Sequence, residues 1–148
     1  MNGNNFESFF KRIIVPVDGS KLSEKAVKVG CFLAKEINKT CILFHVNEIP
    51  ATALYPGEAT YASNLSKRLK EEGKSILNDA KKLFSDKEIT VQTKLVEGIA
   101  YEEIINFANS DDLIIMGSKG HSTVERVFIG SVSEKVLHHS DSSVMIVR

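Results

Sequence analysis

Two short segments near the C-terminus hold the residue types that could grip an anion. The first is Gly117-Ser118-Lys119-Gly120-His121-Ser122-Thr123, and the second runs Gly130-Ser131-Val132-Ser133-Glu134. Glycine at 117 and 120 lets backbone approach a ligand with no side chain in the way. After Gly130, Val132, Val136 and Leu137 recur at helical spacing. The first N–H groups of such a helix, at Val132, Ser133 and Glu134, have no partner within it, and a helix N-terminus opening on glycine is a ready anion site. The pattern Gly-x2-Gly-x9-Gly-Ser would set two backbone surfaces around one phosphate chain, with Lys119, His121 and Arg126 between them as positive charge. The same residues also have a purely structural reading. Gly130 could be a tight turn alone, and Ser131 with Glu134 spells the S-x-x-E capping box that starts a helix without any ligand. The Glu134 carboxylate would then compete with phosphate, and Lys119 and Arg126 could be solvated loop residues. Neither the G-x4-G-K-S/T spacing nor GxGxxG occurs.

An alternation of strands and helices must position these segments. Five short apolar runs read as strands: Ile13 to Val17, Cys41 to Val46, Ile89 to Val96, Leu113 to Met116 and Val144 to Val147. Helical spacing joins Leu22, Ala26, Val29, Leu33 and Ile37 after the first, and Leu65, Leu69, Ile76, Ala80 and Leu83 after the second. Gly73 interrupts that second helix and should weaken it by about 1 kcal/mol. Ile104, Ile105 and Ala108 mark a third helix, and the Gly130 segment opens a fourth. Such alternation predicts an α/β fold, an open five-stranded parallel sheet with helices on both faces. Strands one, two and four are continuously apolar, as strands covered on both faces must be. Strand three alternates Ile89, Val91, Thr93 and Leu95 with Thr90, Gln92 and Lys94, which suits an edge. The order 3-2-1-4-5 follows. In such a sheet ligands bind beyond the carboxyl ends of the strands where strand order reverses, here between strands one and four. That rule brings Asp18-Gly19-Ser20, directly after strand one, to the Gly117 segment. Asp18 could still be only a turn residue beside a helix N-cap.

Strand five is apolar yet would lie at an edge, and an exposed apolar edge invites pairing. A two-fold dimer through Val144 to Val147 resolves this, the alternatives being a central position or cover by the N-terminal residues. One domain spanning 1–148 is expected from the length. Net charge is zero, so no global field favours nucleic acid or a membrane surface. The N-terminus lacks a basic start and apolar run, and no apolar stretch reaches about 18 residues, so a cytoplasmic location is expected. Cys31 and Cys41 lie in apolar segments with no CxxC pair and read as buried thiols. His45, inside strand two, reads as a core histidine, and His138 and His139 suit a helix C-terminus. Glu48 to Asn64, with Pro50, Pro56 and Gly57, reads as a long surface loop without a chemical motif.

Several of these segments together resemble the universal stress protein family. Val15-Pro16-Val17-Asp18-Gly19-Ser20 looks like its opening, His45-Val46 is similar to the end of its second strand, and Val96-x-Gly98 with Glu102-Glu103-Ile104 fits its third helix. Met116-Gly117-Ser118-Lys119-Gly120 with Gly130-Ser131-Val132-Ser133 resembles the ATP-binding signature of the nucleotide-binding subgroup. The resemblance runs from Lys11 to Arg148 and implies an adenine nucleotide α-hydrolase-like fold. It implies that Asp18 holds the adenosine, with Pro16, Val17 and Ser20 beside it, and that Val46 meets the adenine. Met116, Gly117 and Ser118 would floor the nucleoside, Gly120 would leave room for ribose and phosphate, and Gly130, Ser131, Val132 and Ser133 would hold the phosphates. ATP, ADP or AMP with Mg²⁺ or Mn²⁺, a dimer through the last strand and a role in stress regulation are further implications. Ala100 departs from the proline many members carry after Gly98, which touches a turn. No motif places His121 or Glu125 to orient a water, so regulation by bound nucleotide leads. A slow ATPase or nucleotide-handling enzyme is one alternative, and a dimeric interaction module without nucleotide is another.

Overall fold

The computed structural model describes residues 9–51, 59–84, 87–119 and 129–148. Among these residues nine elements follow one another: β1 (Arg12–Pro16), α1 (Lys21–Glu36), β2 (Thr40–Asn47), α2 (Ala59–Lys82), β3 (Val91–Glu97), α3 (Ala100–Phe107), β4 (Asp112–Gly117), α4 (Ser131–His139) and β5 (Ser143–Val147). The strands form one sheet in the order β3-β2-β1-β4-β5, with every pairing parallel. Ile14 sits at the centre, in register with Ile42 on β2 and Ile114 on β4.

The two-sided burial expected of the central strands is what builds the core. Ile13, Val15, Cys41, Leu43 and Ile115 pack on one face under α1 and α2. Ile14, Phe44, Ile114 and Met116 pack on the other, against Ile104 of α3 and Val136 of α4. Every residue of β4 is buried. On β3, Gln92, Thr93 and Lys94 are exposed, as befits an edge. On β5, Val147 is buried while Met145 stays 38% exposed. At the base of the sheet, the Arg12 guanidinium donates to both carboxylate oxygens of Asp112, at 3.0 and 2.5 Å. It also lies 5.0 Å over the Phe107 ring. Asp112 is fully buried and takes a further N–H from Asn109. This clamp fixes the starts of β1 and β4 and leaves their far ends open.

Two expectations are corrected. The loop expected from Glu48 to Asn64 is shorter, because α2 already starts at Ala59. The apolar stripe of α2 reaches back through Ala62, one turn before Leu65 and Leu69, and all three are half-buried. Residues 52–58 of that loop lie outside the described residues. Gly73 does not interrupt α2, which is continuous to Lys82. A Cβ there would sit 2.7 Å from Leu95 Cδ1, 2.8 Å from Asn47 Oδ1 and 2.9 Å from His45. The helix lies so close on β2 and β3 that any side chain at 73 would have to displace these neighbours. Among the described residues no helix is long and apolar enough to cross a membrane.

Candidate functional site

At the carboxyl ends of β1 and β4 the chain turns twice, and both turns are hydrogen-bonded in place. Beyond β1, the Val17 N–H donates to the Phe44 carbonyl at 2.9 Å, and the His45 Nδ1–H donates to the Val17 carbonyl at 2.6 Å. Gly19 then has φ +81°, a value that L side chains rarely adopt. That turn lets Asp18 Oδ1 accept the Ser20 N–H at 2.9 Å. Ser20 is the N-cap of α1, its Oγ accepting the Ser23 N–H at 3.2 Å.

Beyond β4, Gly117 is dictated by packing, since a Cβ would lie 2.9 Å from Leu22 Cβ and 3.0 Å from the Leu22 backbone. The approach of α1, not of a ligand, accounts for this glycine. Ser118 is buried, donating its N–H to the Val147 carbonyl. Its own carbonyl accepts the Gly130 N–H at 2.5 Å, and the Gly117 carbonyl accepts the Ser133 Oγ–H at 2.8 Å. The start of α4 is thereby stitched to the end of β4, and the two glycine segments meet in space.

The capping box read from Ser131 and Glu134 does not form. Gly130 is the N-cap, without a side-chain cap bond, and Ser131 is the first residue of the helix. Nor is the Glu134 N–H open, as expected from the sequence, because it donates to the Gly130 carbonyl at 2.9 Å. The helix therefore offers its leading N–H groups one residue earlier, at Ser131, Val132 and Ser133.

Between these turns lies a cavity of about 350 Å³, within the range of small-molecule sites. Of the residues proposed from the sequence, Pro16, Val17, Asp18, Val46, Met116, Gly117, Lys119, Gly130, Ser131, Val132 and Ser133 line it. Ser20 and Ser118 do not, being held in the cap and the stitch just described. Gly120 and Arg126 lie outside the described residues, together with His121, Ser122, Thr123 and Glu125.

The sequence reading missed five wall residues, Ser23, Phe44, His45, Glu48 and Ile104, and took Ala100 for a turn position only. Glu48 Oε1 accepts the Ala100 N–H at 2.8 Å, so a carboxylate on the cleft wall closes the N-terminus of α3. Proline at 100 would lack that N–H. The strand-end rule that picked out Asp18 also applies to the end of β2 and would have found Glu48. His45 is part-buried and hydrogen-bonded, yet it too faces the cavity.

The walls divide by chemistry. Phe44, Val46, Ile104 and Met116 make an apolar slot. Asp18 and Glu48 add acceptors to the lining, and Lys119 and the start of α4 add donors. Such a cleft suits a ligand with a flat apolar end and an anionic end. Among the described residues no cluster of three or more His, Cys, Asp or Glu could hold a metal ion.

The Universal stress protein family profile matches residues 9–148. The chain belongs to the universal stress protein family. Universal stress protein MJ0531 of Methanocaldococcus jannaschii is 33% identical over 146 residues, covering 97% of this chain and 85% of that relative. The solved structure of protein MJ0577 from the same organism has a TM-score of 0.68 at 27% identity, covering 94% of this chain and 96% of that one. A universal stress protein solved in complex with cAMP has a TM-score of 0.69 at 22% identity, covering 95% and 98%. That likeness is one of fold.

Proposed function

We propose that the cleft binds ATP or a close adenine nucleotide and that occupancy regulates the protein in a stress response. The observation that carries this reading is the open N-terminus of α4, stitched to β4 and lining one cavity with Asp18 and Val46. Three N–H donors on a helix dipole suit phosphate oxygens, and Lys119 adds positive charge. Adenine fits the apolar slot beside Val46, with Phe44 and Met116 as further walls. Asp18 accepts from the ribose or base, with Pro16 and Val17 beside it. Gly120 belongs to the same reading through the family signature, and Arg126 through its position between the two glycine segments. A divalent ion, Mg²⁺ or Mn²⁺, would ride on the phosphates. Another protein of this fold was solved with cAMP, itself an adenine nucleotide.

The protein works as one domain in the cytoplasm, paired through β5. Its position at the sheet edge among the described residues and the exposed Met145 support that pairing. Isothermal titration of nucleotide-stripped protein with ATP and Mg²⁺ tests the binding. Saturable heat with ATP, and none with inorganic phosphate at the same concentration, is the expected result. No saturation with ATP, ADP or AMP would contradict the reading and leave a dimeric interaction module.

A further inference from the structure

Cys31 of α1 and Cys41 of β2 are the chain's two cysteines, both buried with free thiols and no exposed surface. Their sulfurs lie 3.5 Å apart. A disulfide needs about 2.05 Å, so each sulfur has to move by only roughly 0.7 Å. The pair lies at the end of the sheet opposite the cleft, where Cys41 is in register with Ile13 and Val91. Beside it is a recess of about 100 Å³ whose lining includes Ala34, one helical turn after Cys31, and Thr40, the neighbour of Cys41. Asn38, Glu88 and Thr90 on the rim of that recess are exposed, so water and small solutes reach it.

We propose that Cys31 and Cys41 form an oxidisable dithiol, which a peroxide-class oxidant converts into an intramolecular disulfide joining α1 to β2. The hydrogen bond between the two sulfurs favours the Cys31 thiolate, while that bond and burial push the Cys41 thiol up. Cys31 is taken as the first nucleophile, and the balance is the same if Cys41 attacks first. The Cys31 thiolate attacks a peroxide oxygen, the O–O bond breaks, and the leaving hydroxide takes a proton to become water. The Cys31 sulfenic acid is then attacked by the Cys41 sulfur, the S–O bond breaks, and a second water leaves. Two thiols lose two electrons and two protons, and one peroxide becomes two waters.

The full chain is reduced, freed of reductant and treated with hydrogen peroxide while folded. It is then unfolded, treated with N-ethylmaleimide and weighed intact. The expected product takes up no maleimide and is lighter than the reduced chain by two hydrogens. Dithiothreitol returns both maleimide-reactive thiols. Cys31→Ala and Cys41→Ala proteins never show the two-hydrogen loss. Two maleimides on the peroxide-treated wild type would overturn the proposal. So would sulfinic acid, or a chain-to-chain disulfide on a non-reducing gel, in place of the internal bond.

Discussion

Replacing Ser131 with proline isolates the backbone donor on which the nucleotide reading rests. Ser131 is the first residue of α4, and Gly130 before it has φ −65° and ψ 156°. Proline is well tolerated at the first helical position, and its predecessor prefers ψ between about +120° and +160°. The substitution should therefore leave the helix intact and shift stability by no more than about 0.5 kcal/mol. It removes one N–H from the cleft. A hydrogen bond to a charged group contributes about 1.5–3 kcal/mol, so ATP affinity should fall roughly 10- to 150-fold at about 1.4 kcal/mol per decade. Ser131→Ala, which keeps the N–H and loses only the hydroxyl, serves as the control and should bind much more tightly than Ser131→Pro. Calorimetric titration reads the affinities and thermal melting reads the fold. Equal ATP affinity for wild type and a well-folded Ser131→Pro protein would refute phosphate binding at this helix end.

Three other substitutions probe the frame around the site. Gly73→Ala should destabilise by about 1–3 kcal/mol through overpacking against Leu95, Asn47 and His45. An exposed helix would instead gain about 1 kcal/mol, so the sign in urea unfolding decides. Asp112→Ala strips the partially buried Arg12 of its partner and should cost about 3 kcal/mol, read from the same curves. Met145→Lys places a charge on the exposed face of β5, the last strand of the sheet, and should turn a dimer into a monomer in sedimentation experiments. Monomeric wild type would contradict the proposed pairing.

Strand order was legible because burial on two faces writes continuous apolar text, as in Ile13–Val15 and Leu113–Met116, whereas the β3 edge writes alternation. The site was legible as far as the strand-end rule reaches, to Asp18 and to the segments after Gly117 and Gly130. Three features were not. Gly73 and Gly117 owe their identity to side chains or backbone of other elements, a demand that no local pattern shows. Ser131 satisfies the capping-box spelling, yet the stitch from Gly130 to Ser118 starts the helix one residue earlier. Glu48 and Ala100, 52 positions apart, meet only once the sheet has formed.

The central claim is that phosphate oxygens sit on the leading amides of α4. The most direct test is to follow the backbone amide resonances of Ser131, Val132 and Ser133 by NMR while ATP with Mg²⁺ is added, with adenosine as the comparison. The account predicts large, saturable shifts of those three amides with ATP and much smaller ones with adenosine, while Val46 responds to both. Saturable ATP binding that leaves Ser131, Val132 and Ser133 unmoved would contradict it.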